Sequence, residues 1–226
     1  KKFICFFCLC LIAISCVDEI RRPIGSGGAE EVNKTDPLVA NLPVHIDSTG
    51  YLIHPIGELG EERSEYFGSG GSSGGHVYQS SDVIKGRMSN IKFQQIGSEE
   101  LVPLTKGRVV IYSAVFLRSI FENTGKSLLL YEVLDGDDNG DGKLNGKDVR
   151  SLYISKINGE TFRKLTPNGQ QLLESAVVGE MNRLYFRTQK DNNGDQKLDE
   201  KDRQHLYYID LAVEAPKIVE FDPLKN

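Results

Sequence analysis

The chain has no tryptophan, two methionines and four cysteines, and all four cysteines stand at positions 5, 8, 10 and 16. Beyond Cys16 no thiol is left for a disulfide frame, a cysteine-based metal site or a cysteine nucleophile. Long apolar runs are scarce as well. The one that stands out, Phe3 to Ile14, follows Lys1-Lys2 and holds twelve apolar or small residues. As a helix it would rise about 18 Å, short of the roughly 30 Å core of a bilayer, and a charged start before a short apolar run is the form of a secretory signal. Charge of one sign is not concentrated either: 27 Lys and Arg stand against 32 Asp and Glu. The basic residues are scattered, without a stripe of interleaved aromatics, which argues against a nucleic-acid partner. Helical periodicity is missing from every window of useful length. The four histidines, at 45, 54, 76 and 205, are widely spaced, and no nucleophile, acid–base pair or catalytic metal triad can be assembled around them.

The end of the apolar run, Ala13-Ile14-Ser15-Cys16, resembles a lipobox, the bacterial motif cut just before a cysteine that becomes lipidated. That resemblance implies a signal peptide over residues 1–15, a lipid on Cys16 and attachment to the bacterial outer membrane, on its periplasmic side or at the cell surface. The alternatives are an ordinary signal peptide cut nearby or an uncleaved anchor. Cleavage before Cys16 removes two lysines and takes the formal charge from −5 to −7. Residues 16–42, with Arg22-Pro23, Gly25-Ser26-Gly27-Gly28 and Asp36-Pro37, read as a flexible tether. Asp18-Glu19 resembles the acidic signals that send some lipoproteins to the cell surface. A second loose stretch, 68–75, contains Gly70-Gly71-Ser72-Ser73-Gly74, a formal G-x-S-x-G match without the strand and helix that a nucleophile elbow requires. Thr124-Gly125-Lys126-Ser127 imitates a phosphate loop, but Ile120 stands where the first glycine belongs and an extended segment follows. It reads as a hairpin turn.

The densest chemical information lies in two twelve-residue stretches 54 positions apart, Asp137 to Asp148 and Asp191 to Asp202. Both place an acid or amide oxygen at positions 1, 3, 5, 9 and 12 and a leucine at position 8, the spacing of an EF-hand calcium loop. In the first, Asp137, Asn139, Asp141, Asn145 and Asp148 supply side-chain oxygens and Lys143 a backbone carbonyl. In the second, the set is Asp191, Asn193, Asp195, Asp199 and Asp202 with the carbonyl of Lys197. The closing aspartates replace the longer bidentate glutamate of an EF-hand and resemble dockerin loops. Gly142 holds the sharp-turn position, whereas Gln196 occupies it in the second loop, costing about 1 to 2 kcal/mol if left-handed geometry is kept. Two calcium sites are expected, with geometry favouring the first and charge the second; Mg²⁺ fits less well because it prefers a tight octahedron that keeps several waters. The competing reading is a pair of acidic hairpin turns, since Asn-Gly and Asp-Gly favour turns without any ion.

The rest of the chain reads as short β-branched and aromatic strands: Val109 to Tyr112, Leu128 to Val133, Leu152 to Ile157, Arg183 to Thr188 and Leu206 to Leu211. A repeat extends beyond the loops. Leu152-Tyr153-Ile154-Ser155-Lys156-Ile157-Asn158-Gly159 to Leu165-Thr166 has a counterpart 61 residues upstream, Ile91 to Thr105, and another in Leu206 to Leu211. Ser113-Ala114-Val115-Phe116 answers Ser175-Ala176-Val177-Val178. About four strands per period is how a propeller-like array appears in sequence. The run Ser151 to Gly169, followed by Asn182-Arg183-Leu184-Tyr185-Phe186, resembles a blade of the TolB-like β-propellers, related in plan to WD-repeat blades. The chain also resembles calcium-loop-bearing envelope lipoproteins with no agreed biochemical activity. The resemblance covers residues 90–221 well and 44–89 poorly. It implies an all-β domain over 43–226 built from tandem antiparallel four-stranded blade-like units, at about 43–97, 98–159 and 160–221. Three units fall short of the four blades of a small full propeller, which leaves open a short partial array or a compact stack of antiparallel sheets.

Strands rather than helices flank both loops, so the helix-pair opening of a calcium sensor is not expected. Calcium is expected to fix the strand-to-strand connections, and the function expected is binding or scaffolding at the envelope, with a protein or glycan partner. The competing class is an envelope hydrolase with its active site at a propeller mouth.

Overall fold

Two different patterns of burial build the strands of this chain. The computed structural model describes residues 38–58, 78–195 and 198–225, and these described residues belong to one compact unit. The strands are β1 Leu38–Ala40, β2 Val44–His45, β3 Tyr51–Glu58, β4 Tyr78–Ser80, β5 Val83–Gln95, β6 Val102–Pro103 and β7 Val110–Phe116. After helix α1, Arg118–Thr124, come β8 Leu128–Leu134, β9 Arg150–Lys156, β10 Arg163–Lys164, β11 Gln170–Val178, β12 Arg183–Lys190, β13 Arg203–Asp210 and β14 Ile218–Phe221. Strand β12 alternates, with Leu184, Phe186 and Thr188 buried and Arg183, Tyr185 and Arg187 half-buried, as expected with one face on a core. Strand β8 is buried on both faces because it has a core on each side. Leu129, Tyr131 and Val133 enter one cluster with Ile53, Met88, Ile91 and Phe93, and Leu130 enters another.

The pairing described is antiparallel throughout. Ten strands form one sheet in the order β1-β3-β5-β7-β8-β9-β10, with β2 beside β3 and both β4 and β6 beside β5, while β11-β12-β13-β14 form a second sheet. The all-β antiparallel expectation is therefore met. The 61-residue repeat is visible in hydrogen bonds: the Leu104 amide donates to the Ile91 carbonyl at 2.8 Å, and the Leu165 amide to the Leu152 carbonyl at 2.7 Å. The 62-residue repeat of Ser-Ala-Val places Ala114 opposite Tyr131 and Ala176 opposite Tyr185.

Among the described residues the strands close into no ring. Leu130 and Leu184, which are repeat equivalents, lie in the same cluster with Leu152, Ile154, Phe186, Tyr207 and Ile209. Equivalent faces of the last two repeats thus turn towards each other across one core, as in a sandwich. Rotation about a propeller axis would instead set the front of one blade on the back of the next.

Two local features differ from the sequence expectation. Leu38–Ala40, within the stretch read as tether, pairs with β3. Arg118–Thr124 is helical, too short for a period to register, and it buries Ile120 and ends on Gly125 in the left-handed region at φ 73°. The stretch read there as a hairpin turn is this helix cap.

Candidate metal-binding loops

The first loop connects β8 to β9 and the second connects β12 to β13. Each joins the second and third strands of four consecutive strands, β7 to β10 and β11 to β14. In the first loop, Asp137 Oδ1 accepts the amides of Gly140 at 2.7 Å and Asp141 at 3.1 Å, and its Oδ2 accepts the Gly142 amide at 2.7 Å. Asn139 Oδ1 accepts the Asp141 amide at 2.8 Å, Asp141 Oδ1 the Lys143 amide at 2.9 Å, and Asn145 Oδ1 the Lys147 amide at 3.0 Å. Asp148, 5% exposed, takes the Asp138 amide at 3.1 Å on Oδ1 and the Asn145 amide at 2.8 Å on Oδ2. The Lys143 amide, aided by Asn145, holds the Asp141 carboxyl below the usual carboxylate range. Gly142 takes φ 80° at the sharp-turn position, and Gly140 takes φ 74°, a conformation that glycine adopts without strain.

The second loop repeats this scaffold. Asp191 Oδ1 accepts the Gly194 amide at 2.7 Å, Asn193 Oδ1 the Asp195 amide at 2.8 Å, and Asp199 Oδ1 the Lys201 amide at 2.8 Å. Asp202, 6% exposed, takes the amides of Asn192 at 3.1 Å and Asp199 at 3.0 Å. The amide of position 12 donates to the carbonyl of position 9 in both copies, at 3.0 Å and 3.1 Å. Gln196 and Lys197 lie outside the described residues, as does Cys16.

The loops differ in how they sit on the sheets. Leu144 is 5% exposed and packs against Val110, Leu134 and Tyr112, whereas Leu198, at the same loop position, is 41% exposed. The equivalents of Leu134 and Tyr112 are Thr188 and Glu174, which offer no apolar seat. Arg87 of β5 donates to the Leu144 carbonyl at 3.0 Å, and Arg108 reaches the Gly142 carbonyl at 3.3 Å. For the second loop, Gln189 Nε2 donates to the Asp199 carbonyl at 2.6 Å. Asp135, just before the first loop, accepts from Ser151 at 3.1 Å, Tyr153 at 2.7 Å and Lys164 at 2.8 Å. Burial alone would raise its carboxyl, but Lys164 and Tyr153 outweigh it and the net shift is downward. Sequence spacing does not reveal Arg87, Arg108 or Asp135, because each acts across strands distant in the chain. The glycine shared at position 4 of both loops was a local signal for the turn.

The donor chemistry suits a hard cation. Every candidate side-chain ligand is a carboxylate or amide oxygen, the class that Ca²⁺ takes, and the amide contacts orient these oxygens without neutralising their formal charge. Among the described residues no three of His, Cys, Asp and Glu stand close enough to hold an ion by themselves. An ion at the first loop would therefore draw on Asn139, Asn145 and the Lys143 carbonyl together with Asp137, Asp141 and Asp148.

The sequence look-alikes of catalytic motifs have other roles or lie elsewhere. Lys126 donates to the carbonyls of Ala212 and Val213, both at 2.8 Å, which ties the end of α1 to the β13–β14 connection. The G-x-S-x-G stretch and His76 lie outside the described residues. His45 pairs with the Thr49 carbonyl at 3.0 Å, His54 with Gln94 at 2.9 Å and His205 with Glu220 at 2.8 Å, three separate places on the sheets. No protein-family model matches this chain, and no curated protein matches it.

Proposed function

We propose that the protein is a lipid-anchored, calcium-binding β-repeat module that binds or scaffolds at the bacterial envelope, with calcium stabilising its strand-to-strand connections. The observation that carries the reading is the duplicated loop scaffold. Two loops 54 residues apart orient the same four ligand positions, 1, 3, 9 and 12, with matching amide contacts. The ligand set of the first loop holds three carboxylates and that of the second four, and a cation offsets the repulsion among like charges so close in the chain. Residues 1–16 support the lipid anchor, with Cys16 as its attachment point. Repeated four-strand sets, with no catalytic constellation assembled among the described residues, support a binding role over hydrolysis.

Calcium bound between strands acts as a staple in a domain that has no cysteine after Cys16. Extracellular calcium modules bind at roughly 0.1 to 1 mM, and at a free concentration one hundred times the dissociation constant each site adds about 2.7 kcal/mol of folded-state stability. The test is thermal melting of the purified protein with calcium, with chelator, and with Asp137→Ala combined with Asp141→Ala. Calcium should raise Tm in the parent and raise it less in the variant. Identical melting in all three conditions would overturn the stabilising role.

A further inference from the structure

The Ser-Ala-Val triplet occurs on two strands in equivalent surroundings with opposite fates. Ser113-Ala114-Val115 lies on β7 and Ser175-Ala176-Val177 on β11, each paired to the next strand. Both pairings carry a bulge just before the triplet, between Ile111 and Ser113 and between Leu172 and Glu174. On β7 the outer edge is filled by β5, with Val83 opposite Val115, Ile84 opposite Ala114 and Lys85 opposite Ser113. Ala114 is accordingly 1% exposed. On β11 no described strand pairs with the outer edge, and Leu173 through Ala176 are exposed. Neighbouring β9 reaches only the beginning of β11, where the Arg150 amide donates to Gln171 at 2.8 Å.

We propose that the outer edge of β11 is a docking edge for an extended segment of a partner protein, apolar at the paired positions and basic just beyond them, in the manner of Val83–Met88. This deepens the binding-module reading and rests on it, naming the chemistry of the partner. An open edge offers unpaired backbone donors and acceptors, and an added strand satisfies them. The internal copy supplies the template. Transferring its register puts apolar residues opposite Val177 and Ala176, a residue equivalent to Lys85 opposite Ser175, and the bulged Gly86–Arg87 position opposite Glu174. Glu174 stands where β7 has Tyr112, and its side chain is 65% exposed while paired with Arg187. It therefore offers negative charge where the template strand carries arginine. In the first loop Arg87 also reaches the Leu144 carbonyl, and the matching place in the acidic second loop is Leu198, left exposed. The protein's own β5 is already committed between β3 and β7, so it is not itself the strand for β11. Apart from its bulge, Leu173–Val178 has none of the lysines or prolines that blunt edges.

The probe is a labelled synthetic peptide of residues 83–90, titrated into the full-length chain at saturating calcium and followed by fluorescence anisotropy and amide hydrogen exchange. Saturable binding with slowed exchange at Ser175–Val177 is expected. Glu174→Lys should weaken binding at least tenfold, Ser175→Lys should do the same from an exposed edge position, and a K85E/R87E peptide should not bind. Two surface variants keep the test independent of the folding of either one, and each is checked by melting. Slowed exchange only at β14, no slowing at all, or a doubled mass in light scattering without peptide that Ser175→Lys abolishes would each overturn the proposal, the last by assigning the edge to a second copy. Peptide binding lost while calcium-dependent melting persists overturns the docking edge alone and leaves the calcium reading standing.

Discussion

Replacing Leu144 and, separately, Leu198 by alanine tests whether the two loops are anchored as differently as their burial implies. Both occupy position 8 of a loop, so the chemistry removed is the same. Leu144 is 5% exposed and fills a small cluster with Val110 and Leu134. Buried Leu→Ala changes cost about 2 to 5 kcal/mol, more when the cavity cannot collapse. Only three buried residues form this cluster, at the end of a sheet where neighbours can relax, so the lower part of the range applies, about 2.5 kcal/mol. Leu198 is 41% exposed, and surface changes of this kind stay within about 0.5 kcal/mol. For a body of 150 to 250 residues, 1 kcal/mol moves Tm by about 2 to 4 °C. Leu144→Ala should therefore lower Tm by about 5 to 10 °C and Leu198→Ala by no more than about 2 °C. The assay is calorimetry or circular dichroism in chelator, so that ion binding does not mask the packing effect. In calcium, Leu144→Ala should also weaken the first site, since the leucine seats the loop beside Arg87. Equal shifts for the two variants would refute the anchoring argument.

Asp135 has a lowered carboxyl pKa through Lys164 and Tyr153, so it contributes stability above the unfolded carboxylate value near 3.9 that is lost as pH falls through its lower folded value. Asp135→Asn should narrow the difference in urea-unfolding free energy between pH 6 and pH 3, measured without calcium; a difference as large as the parent's would contradict this assignment. Gly159 sits at φ 82° with its missing Cβ position 2.6 Å from the Phe93 ring. Gly159→Ala should cost at least about 2 kcal/mol, since left-handed geometry alone costs about 1 to 2 kcal/mol for an alanine, and urea denaturation showing no loss would contradict the contact.

Several local features were legible in the residues. Strands such as Leu128 to Val133 and Arg183 to Thr188 are marked by β-branched and aromatic composition, and their positions match β8 and β12. The ligand pattern of each loop is a local spacing, and Gly142 appears in the left-handed conformation its position requires. Helix α1 was not legible, because seven residues are too few to establish a 3.6-residue period. Nor were the first loop's ties to Arg87 and Arg108, which depend on β5 and the start of β7 lying beside it.

The sequence alone determined that the chain makes short antiparallel strands in a repeat of 54 to 62 residues, and that twelve-residue acidic loops recur between its strands. These properties reside in neighbouring residues, in side-chain period and turn chemistry. Tertiary structure decided which faces of the repeats meet, setting Leu130 and Leu184 in one core so that equivalent faces of the last two repeats oppose each other. It also decided that one Ser-Ala-Val edge is covered by β5 while no described strand lies on the other. Two sheet edges with the same sequence are the same acceptor until the rest of the chain either lays a strand against one of them or does not. In this chain β5 lies along β7, and the outer edge of β11 has no described strand beside it.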